Sequence, residues 1–222
     1  MKAMILAAGR GERMGALTTH TPKCLLKVGG RYLIEYTLDT LKKANIHDIV
    51  INISWQREQV KQVLGNGEKY DVRIQYSEEP ERLETGGGIV QALPLLGDAP
   101  FIVISSDIIT HFPPATLPIF PDGLAHIVMV NNPPYHPQGD YGLHAGKVLL
   151  TADEKFNLGG MGVYSPELFA GSKIEYFRLT SVLNPAIAAG KVTGEIYQGC
   201  WHNIGTPEDI KIFESDVMSL QG

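Results

Sequence analysis

The 222-residue chain predicts an α/β fold, a Rossmann-like, mixed but mostly parallel sheet with helices on both faces. Three observations carry the prediction. Short continuous apolar runs near residues 2–6, 49–53 and 101–104 have the character of strands buried on both sides. Segments with apolar residues at helical spacing separate them, so strand and helix alternate through the first half. A glycine-bearing loop follows the first run directly, at the carboxyl end of a strand, where such sheets bind their ligands.

Taken in order, Lys2–Leu6 is the first strand. Residues 32–44 form an amphipathic helix on Ile34, Leu38 and Leu41, with Lys42 and Lys43 in the last turn, where they suit the helix dipole. Ile49–Ile53 is a buried strand, and Gln56–Leu64 a helix stopped by Gly65-Asn66-Gly67. Val72–Tyr76 alternates as a strand, Gly87–Leu96 is helical and ends near Gly97, and Phe101–Ile104 is a third continuous apolar strand. Pro113, Pro114, Pro118 and Pro121 then punctuate a connection. Leu124–Val130 is a strand, residues 131–139 a proline-rich loop, and short strands lie around 147–150 and 161–164. Leu179–Ala189 reads as a helix stopped by Gly190, with Pro185 as a point of kink or break. Gly194–Gln198 is a strand, and Pro207 opens a last helix to about Leu220 with Thr206 as N-cap. No repeat, linker or low-complexity tail interrupts the pattern, which reads as one domain over 1–222.

Composition narrows the partners. The 44% hydrophobic content is that of an ordinary soluble globular protein. The net charge of −5 gives no broad nucleic-acid footprint, so an anionic ligand must be met by a local cluster of cations. Arg10, Arg13, Lys23 and Lys27 lie close together in sequence and are such a cluster. Cys24 and Cys200 are too far apart for a CxxC site and read as reduced thiols. No apolar stretch approaches the ~20 residues of a membrane span. The N-terminus runs into a core strand without a cleavable signal, and a cytoplasmic protein is expected.

The chemistry begins in Leu6-Ala7-Ala8-Gly9-Arg10-Gly11-Glu12-Arg13-Met14, followed by Thr21-Pro22-Lys23. Small residues after a buried strand let backbone N–H groups approach anionic oxygens, and Arg13 and Lys23 add full charge beside them. The spacing is not that of a P-loop. It also fails the dinucleotide fingerprint, because Met14 holds the third glycine position and Gly15 comes one place late, which disfavours a dinucleotide-dependent oxidoreductase. From these residues alone, a tight turn carrying surface charges remains open. Asp107, after Phe101–Ile104 and Ser105-Ser106, is either a magnesium ligand at a strand end or a turn cap. The glycines of Leu83-Glu84-Thr85-Gly86-Gly87-Gly88 either let a base or ribose lie flat on backbone or form a flexible helix entry.

The opening motif, spread over both glycines, the arginine and the Pro-Lys pair, resembles the signature of the sugar-1-phosphate nucleotidyltransferases, whose fold is the GT-A-like nucleotide-diphospho-sugar transferase fold. The resemblance covers essentially the whole chain. It implies that the first loop, through Leu6, Ala8, Gly9 and Gly11, holds the base and phosphates of a nucleoside triphosphate. Arg13 would hold the triphosphate tail, and Lys23 the phosphates at the reacting centre. Asp107 would bind the catalytic Mg2+, while Ser106, Glu84, Gly86 and Gly87 would complete the nucleotide site. Residues 1–130 would then be the nucleotide half and 131–222 the sugar half. Asp140 in Gly139-Asp140-Tyr141-Gly142 and Glu154 in Asp153-Glu154-Lys155 match the sugar side, with a turn aspartate and a solvated charge run as alternatives. Gly159–Tyr164 resembles the small-residue strand beneath the sugar. Trp201-His202-Asn203-Ile204-Gly205-Thr206-Pro207 resembles the closing motif, in which an Asp gives the metal its second carboxylate. Here Asn203 offers a carbonyl oxygen without formal charge, so weaker metal binding and slower chemistry are expected. His202 reads as a strand residue. The implied partners are an NTP and a sugar 1-phosphate, with no nucleic acid and no membrane.

Within the family, residues 1–9, 83–89 and 93–101 look most like the N-acetylmuramate-1-phosphate uridylyltransferases of peptidoglycan recycling, which use UTP. Mannose-1-phosphate guanylyltransferases come next. Asn203 leaves open a reading of another class, a nucleotide-sugar-binding sensor with reduced or no catalysis. Nothing in the sequence fixes the oligomeric state.

Overall fold

A computed structural model describes residues 1–219, with side chains through Asp216. In chain order the elements are β1 (Ala3–Leu6), β2 (Lys27–Val28), β3 (Arg31–Tyr32), α1 (Leu33–Lys43), β4 (Asp48–Ile53), α2 (Arg57–Leu64), β5 (Arg73–Glu78), α3 (Glu84–Leu96) and β6 (Phe101–Ser105). They continue with β7 (Ile108–Thr110), β8 (Ala125–Val130), β9 (Gly142–His144), β10 (Lys147–Leu149), β11 (Asn157–Tyr164), α4 (Thr180–Ala188), β12 (Val192–Tyr197), β13 (Trp201–Asn203) and α5 (Pro207–Ser219).

Nine strands form one sheet in the order β5-β4-β1-β6-β11-β8-β12-β10-β9. Strands β5, β4, β1, β6, β8, β12 and β9 run one way, and only β11 and β10 oppose them. The sheet is therefore mixed and mostly parallel. Alternation along each strand feeds two cores. Ala3 and Ile5 of β1, Ile49, Ile51 and Ile53 of β4, and Ile102 and Ile104 of β6 face α1 and α2 through Leu38, Leu41, Val60 and Leu64. Met4, Val50, Phe101 and Val103 face α3 and α4 through Ile89, Ala92, Leu183 and Ile187. Each such side chain removed from water contributes roughly 1.5–3 kcal/mol, which is why strands with no polar face are stable here. Burial on both sides makes the runs continuous in sequence.

The elements depart from the sequence pattern in three places. Helix α3 begins at Glu84, so Gly86, Gly87 and Gly88 lie inside its first turns and do not precede it. Helix α4 runs through Pro185 without ending; Pro185 is its sixth residue, and the bond its missing N–H forgoes is the one to the Ser181 carbonyl. Strands β2, β3, β7, β9 and β13, of two or three residues each, are too short to leave a period. At α5, Thr206 Oγ1 accepts the Asp209 N–H and Asp209 Oδ2 accepts the Thr206 N–H at 2.7 Å, a reciprocal cap on Thr206. The expected end of this helix near Leu220 lies outside the described residues.

Candidate functional site

Strands β1 and β6 end side by side, with Leu6 opposite Ser105, and the Ser106 N–H donates to the Leu6 carbonyl at 3.1 Å. The chain leaves β1 into the glycine loop and leaves β6 through Ser106, which is buried, to Asp107. The loop turns at Gly11, whose φ is 67°. A Cβ there would lie 2.9 Å from the Lys23 Cβ, so glycine is required twice over, by conformation and by contact. The Gly11 carbonyl accepts the Met14 N–H at 2.8 Å and the Thr18 hydroxyl at 2.9 Å. Gly9 differs, because a Cβ on it would meet nothing within 4 Å, leaving its face open to a ligand.

Met14 anchors this loop. It is buried in a small core with Leu26, Val28, Leu33, Ile109, Ile204 and Phe213. The same core holds Ile204 of the closing segment, which brings Arg13 against Gly205; a Cβ there would lie 3.1 Å from the guanidinium. Arg10 and Arg13 form no ion pair with any described residue and both line the cleft.

Lys23 and Asp107 meet at the base of the cleft. Lys23 Nζ donates to Asp107 Oδ2 at 2.5 Å, with side chains 11% and 25% exposed. β7 pairs with β13, so Asn203 lies opposite Ile108, the residue after Asp107. The Ile204 N–H donates to the Asp107 carbonyl at 2.8 Å, and Asn203 Nδ2 donates to the Tyr135 hydroxyl at 3.0 Å. Among the described residues, no group of three or more His, Cys, Asp or Glu side chains is placed to hold a metal. Asp107 brings one carboxylate, and Asn203, on the strand paired with β7 just after it, carries one amide oxygen. Such hard oxygens fit Mg2+, which takes one or two carboxylates and completes its shell with water and substrate phosphates.

Two adjoining cavities share Leu6, Gly9, Arg82, Thr85 and Asp107. The first, about 170 Å³, is closed by Ala8, Asn52, Glu79 and Glu84. The second, about 410 Å³, runs along Arg10, Gly11, Arg13, Lys23 and Ser106. Under the first lies a buried polar network. Asn52 Oδ1 accepts the Ala7 N–H at 2.8 Å, and its Nδ2 donates to Glu79 Oε1 at 2.7 Å. Glu79 Oε2 accepts the Leu83 N–H at 3.1 Å. The network ties the glycine loop to the loop before α3. Burial raises the Glu79 pKa above the ordinary carboxylate range, against the lowering effect of these hydrogen bonds.

The structure thus brings Leu6, Ala8, Gly9, Gly11, Arg13, Lys23, Glu84, Ser106 and Asp107 to one cleft, with Asn203 beside Asp107. The other predicted residues are engaged within the chain or lie apart from this cleft. The N–H groups of Gly86 and Gly87 both donate to the Phe177 carbonyl. Their Cα faces also pack on the chain, since a Cβ would lie 2.3 Å from the Phe177 ring and 2.0 Å from the Glu175 carbonyl, respectively. These glycines admit another part of the protein and offer no open backbone. Asp140 Oδ2 accepts the Leu158 N–H at 2.7 Å and Oδ1 lies 3.1 Å from His136 Nε2, so its carboxylate braces its own loop. Glu154 is exposed and lines a separate surface pocket with Asn131, Pro137 and Phe156. Lys27 leaves the cation cluster and sits over the Tyr32 ring at 5.8 Å.

His202 packs edge-on against Phe213, as a strand residue would. Cys24 is buried, its thiol pushed up to about 12 by that burial. Sequence reasoning missed Asn52, Glu79, Arg82 and Thr85. Only Asn52 left a signal, a polar residue inside an apolar strand, which burial obliges to find partners.

This sheet, with its glycine loop and strand-end carboxylate, is that of a nucleotidyl transferase. The chain belongs to that family, whose model matches residues 2–146. An N-acetylmuramate alpha-1-phosphate uridylyltransferase from Neisseria meningitidis serogroup B is 43% identical over 216 residues, covering 93% of this chain and 94% of the relative. One from Caulobacter vibrioides is 33% identical over 223 residues, covering 93% and 92%. A mannose-1-phosphate guanyltransferase from Aspergillus fumigatus is 29% identical and spans 94% of this chain but 62% of its own length. Two solved structures share the fold. HddC from Yersinia pseudotuberculosis, complexed with GMP-PN, has a TM-score of 0.79 at 18% identity, covering 97% and 99% of the two chains. The inositol-1-phosphate CTP transferase of T. maritima has a TM-score of 0.76 at 19% identity, covering 98% and 94%. No helix among the described residues is long and apolar enough to cross a membrane.

Proposed function

We propose that the chain condenses UTP with N-acetylmuramate 1-phosphate to give UDP-N-acetylmuramate and pyrophosphate, in the cytoplasm. The observation that carries the reaction class is the contact of Lys23 with Asp107 at the floor of a cleft bordered by Arg10 and Arg13, which pair with no carboxylate among the described residues. The 43% and 33% identical relatives support the sugar and the base.

The chemistry needs no protein nucleophile. The sugar phosphate is already an oxyanion. Its oxygen attacks the α-phosphorus in line, the bond to the bridging oxygen breaks, and pyrophosphate leaves with that electron pair. The chain aligns two polyanions and neutralises them. The smaller cavity takes the nucleoside, and the backbone from Leu6 to Gly11 takes the phosphates. Arg13 steadies the departing pyrophosphate. Lys23 exchanges Asp107 for the α-phosphate and the incoming phosphate. Asp107 and Asn203 would hold Mg2+, which when bound shields the triphosphate oxygens. Residues 1–130 serve as the nucleotide half and 131–222 as the sugar half.

Asn203 favours a second reading, a nucleotide-sugar sensor without turnover. The test is pyrophosphate release with Mg2+, UTP or GTP, and N-acetylmuramate 1-phosphate or mannose 1-phosphate, on the parent and on Asn203→Asp. Release by the parent with UTP and N-acetylmuramate 1-phosphate is expected, with half-saturation by Mg2+ falling about tenfold in Asn203→Asp, because ligand charge tunes affinity. Activity with GTP and mannose 1-phosphate alone would replace both substrates. Activity only in Asn203→Asp would establish the sensor.

A further inference from the structure

We propose that Arg82, which no motif marks, is a binding residue for the triphosphate tail, joining Arg10 and Arg13. Its position is the first argument. Arg82 lines the nucleoside cavity, the phosphate cleft and a third cavity of about 690 Å³ that opens beyond Ala8 and Arg10. Arg82 is thus common to the walls of all three spaces.

Its partners are the second argument. One guanidinium nitrogen, Nη2, is paired with Glu84, two residues on at the start of α3. The other, Nη1, points across the cleft to Glu12 of the glycine loop, 3.8 Å away. The two carboxylates are unequal. Glu84 is only 12% exposed, sits at φ 60° and also accepts the Tyr176 hydroxyl at 3.3 Å. Left-handed backbone in a non-glycine residue is costly and persists where surroundings hold it. Glu84 is thus a fixed anchor. Glu12 is 75% exposed, and a pair of that kind at that distance contributes little.

The guanidinium is accordingly held at one edge and weakly engaged at the other, the edge directed to the glycine loop. A triphosphate brings several charges and a geometry that a planar fork can meet with two hydrogen bonds. It would displace the single exposed carboxylate of Glu12 while leaving the Glu84 anchor in place. Arg82 would then lie over the nucleotide, joining the loop before α3 to the ligand. This inference rests on the nucleotidyl-transfer reading.

The test is calorimetric binding of UTP and of UMP, with Mg2+, to the intact protein and to Arg82→Ala, Arg82→Lys and Glu12→Gln, with thermal melting as a fold control. Loss of a charge-assisted contact predicts that Arg82→Ala weakens UTP about tenfold or more while UMP changes less than about threefold. Arg82→Lys should recover part of the loss, and Glu12→Gln should bind UTP more tightly than the parent. Equal losses for UTP and UMP, or no loss for either, would overturn the assignment. Absence of UTP binding in the parent would instead overturn the nucleotidyl-transfer reading beneath it.

Discussion

Replacing Lys23 with methionine keeps most of its volume and removes its charge, which separates two roles the structure gives it. In the protein without substrate, Lys23 Nζ lies 2.5 Å from Asp107 Oδ2, and the two side chains are 11% and 25% exposed. The pair is shielded but not sealed, so it falls between an exposed pair worth under 1 kcal/mol and a buried one that costs 3–5 kcal/mol to break, or about 1–2 kcal/mol. For a chain of this length each kcal/mol moves the melting temperature by roughly 2–4 °C, so a fall of about 2–8 °C is expected. On the proposed reaction the same charge would sit between two phosphates that must approach each other. Removing a preorganised group that stabilises developing charge costs about 10²–10³ in kcat. Melting curves and steady-state pyrophosphate release therefore give different answers for one substitution: a modest thermal loss, a large fall in kcat and a smaller change in KM. Turnover equal to that of the parent would remove Lys23 from the reaction. A fall carried wholly by KM would make it a ground-state binding group.

The glycines give a paired prediction. Gly87→Ala drives a Cβ to 2.0 Å from the Glu175 carbonyl, a backbone atom that cannot step aside cheaply, so a loss of about 1–3 kcal/mol in denaturant unfolding is expected. Gly9→Ala meets nothing within 4 Å and should leave unfolding unchanged while raising KM for the nucleotide; the opposite pattern would refute both assignments. For Glu79, burial raises the folded pKa above that of the unfolded chain. Its contribution to stability is then fully present below the ordinary glutamate value and lost as pH rises through the raised one. Melting temperature should fall with rising pH across that window in the parent and less so in Glu79→Gln, and parallel profiles would contradict the burial argument.

The parts legible in the sequence share a physical reason. Strands buried on both faces must be continuously apolar, so β1, β4 and β6 announced themselves, and the glycine loop after β1 could be placed at a strand end. Asp107 followed from the same logic. The parts that were not legible depend on contacts between distant segments. Gly86 and Gly87 look like a ligand platform until Phe177 and Glu175 are seen against them. Asp140 looks free until Leu158 and His136 occupy its oxygens. Arg82 stands among charges that any exposed loop could carry, and only folding shows which cavities it lines.

The account is tested most directly by a crystal structure with Mg2+ and a non-hydrolysable UTP analogue. It predicts the uracil in the cavity closed by Asn52 and Glu79, the phosphates along Gly9 to Arg13, and Lys23 turned from Asp107 to the α-phosphate. Nucleotide bound elsewhere, with Lys23 still paired to Asp107 and the glycine loop bare, would contradict it.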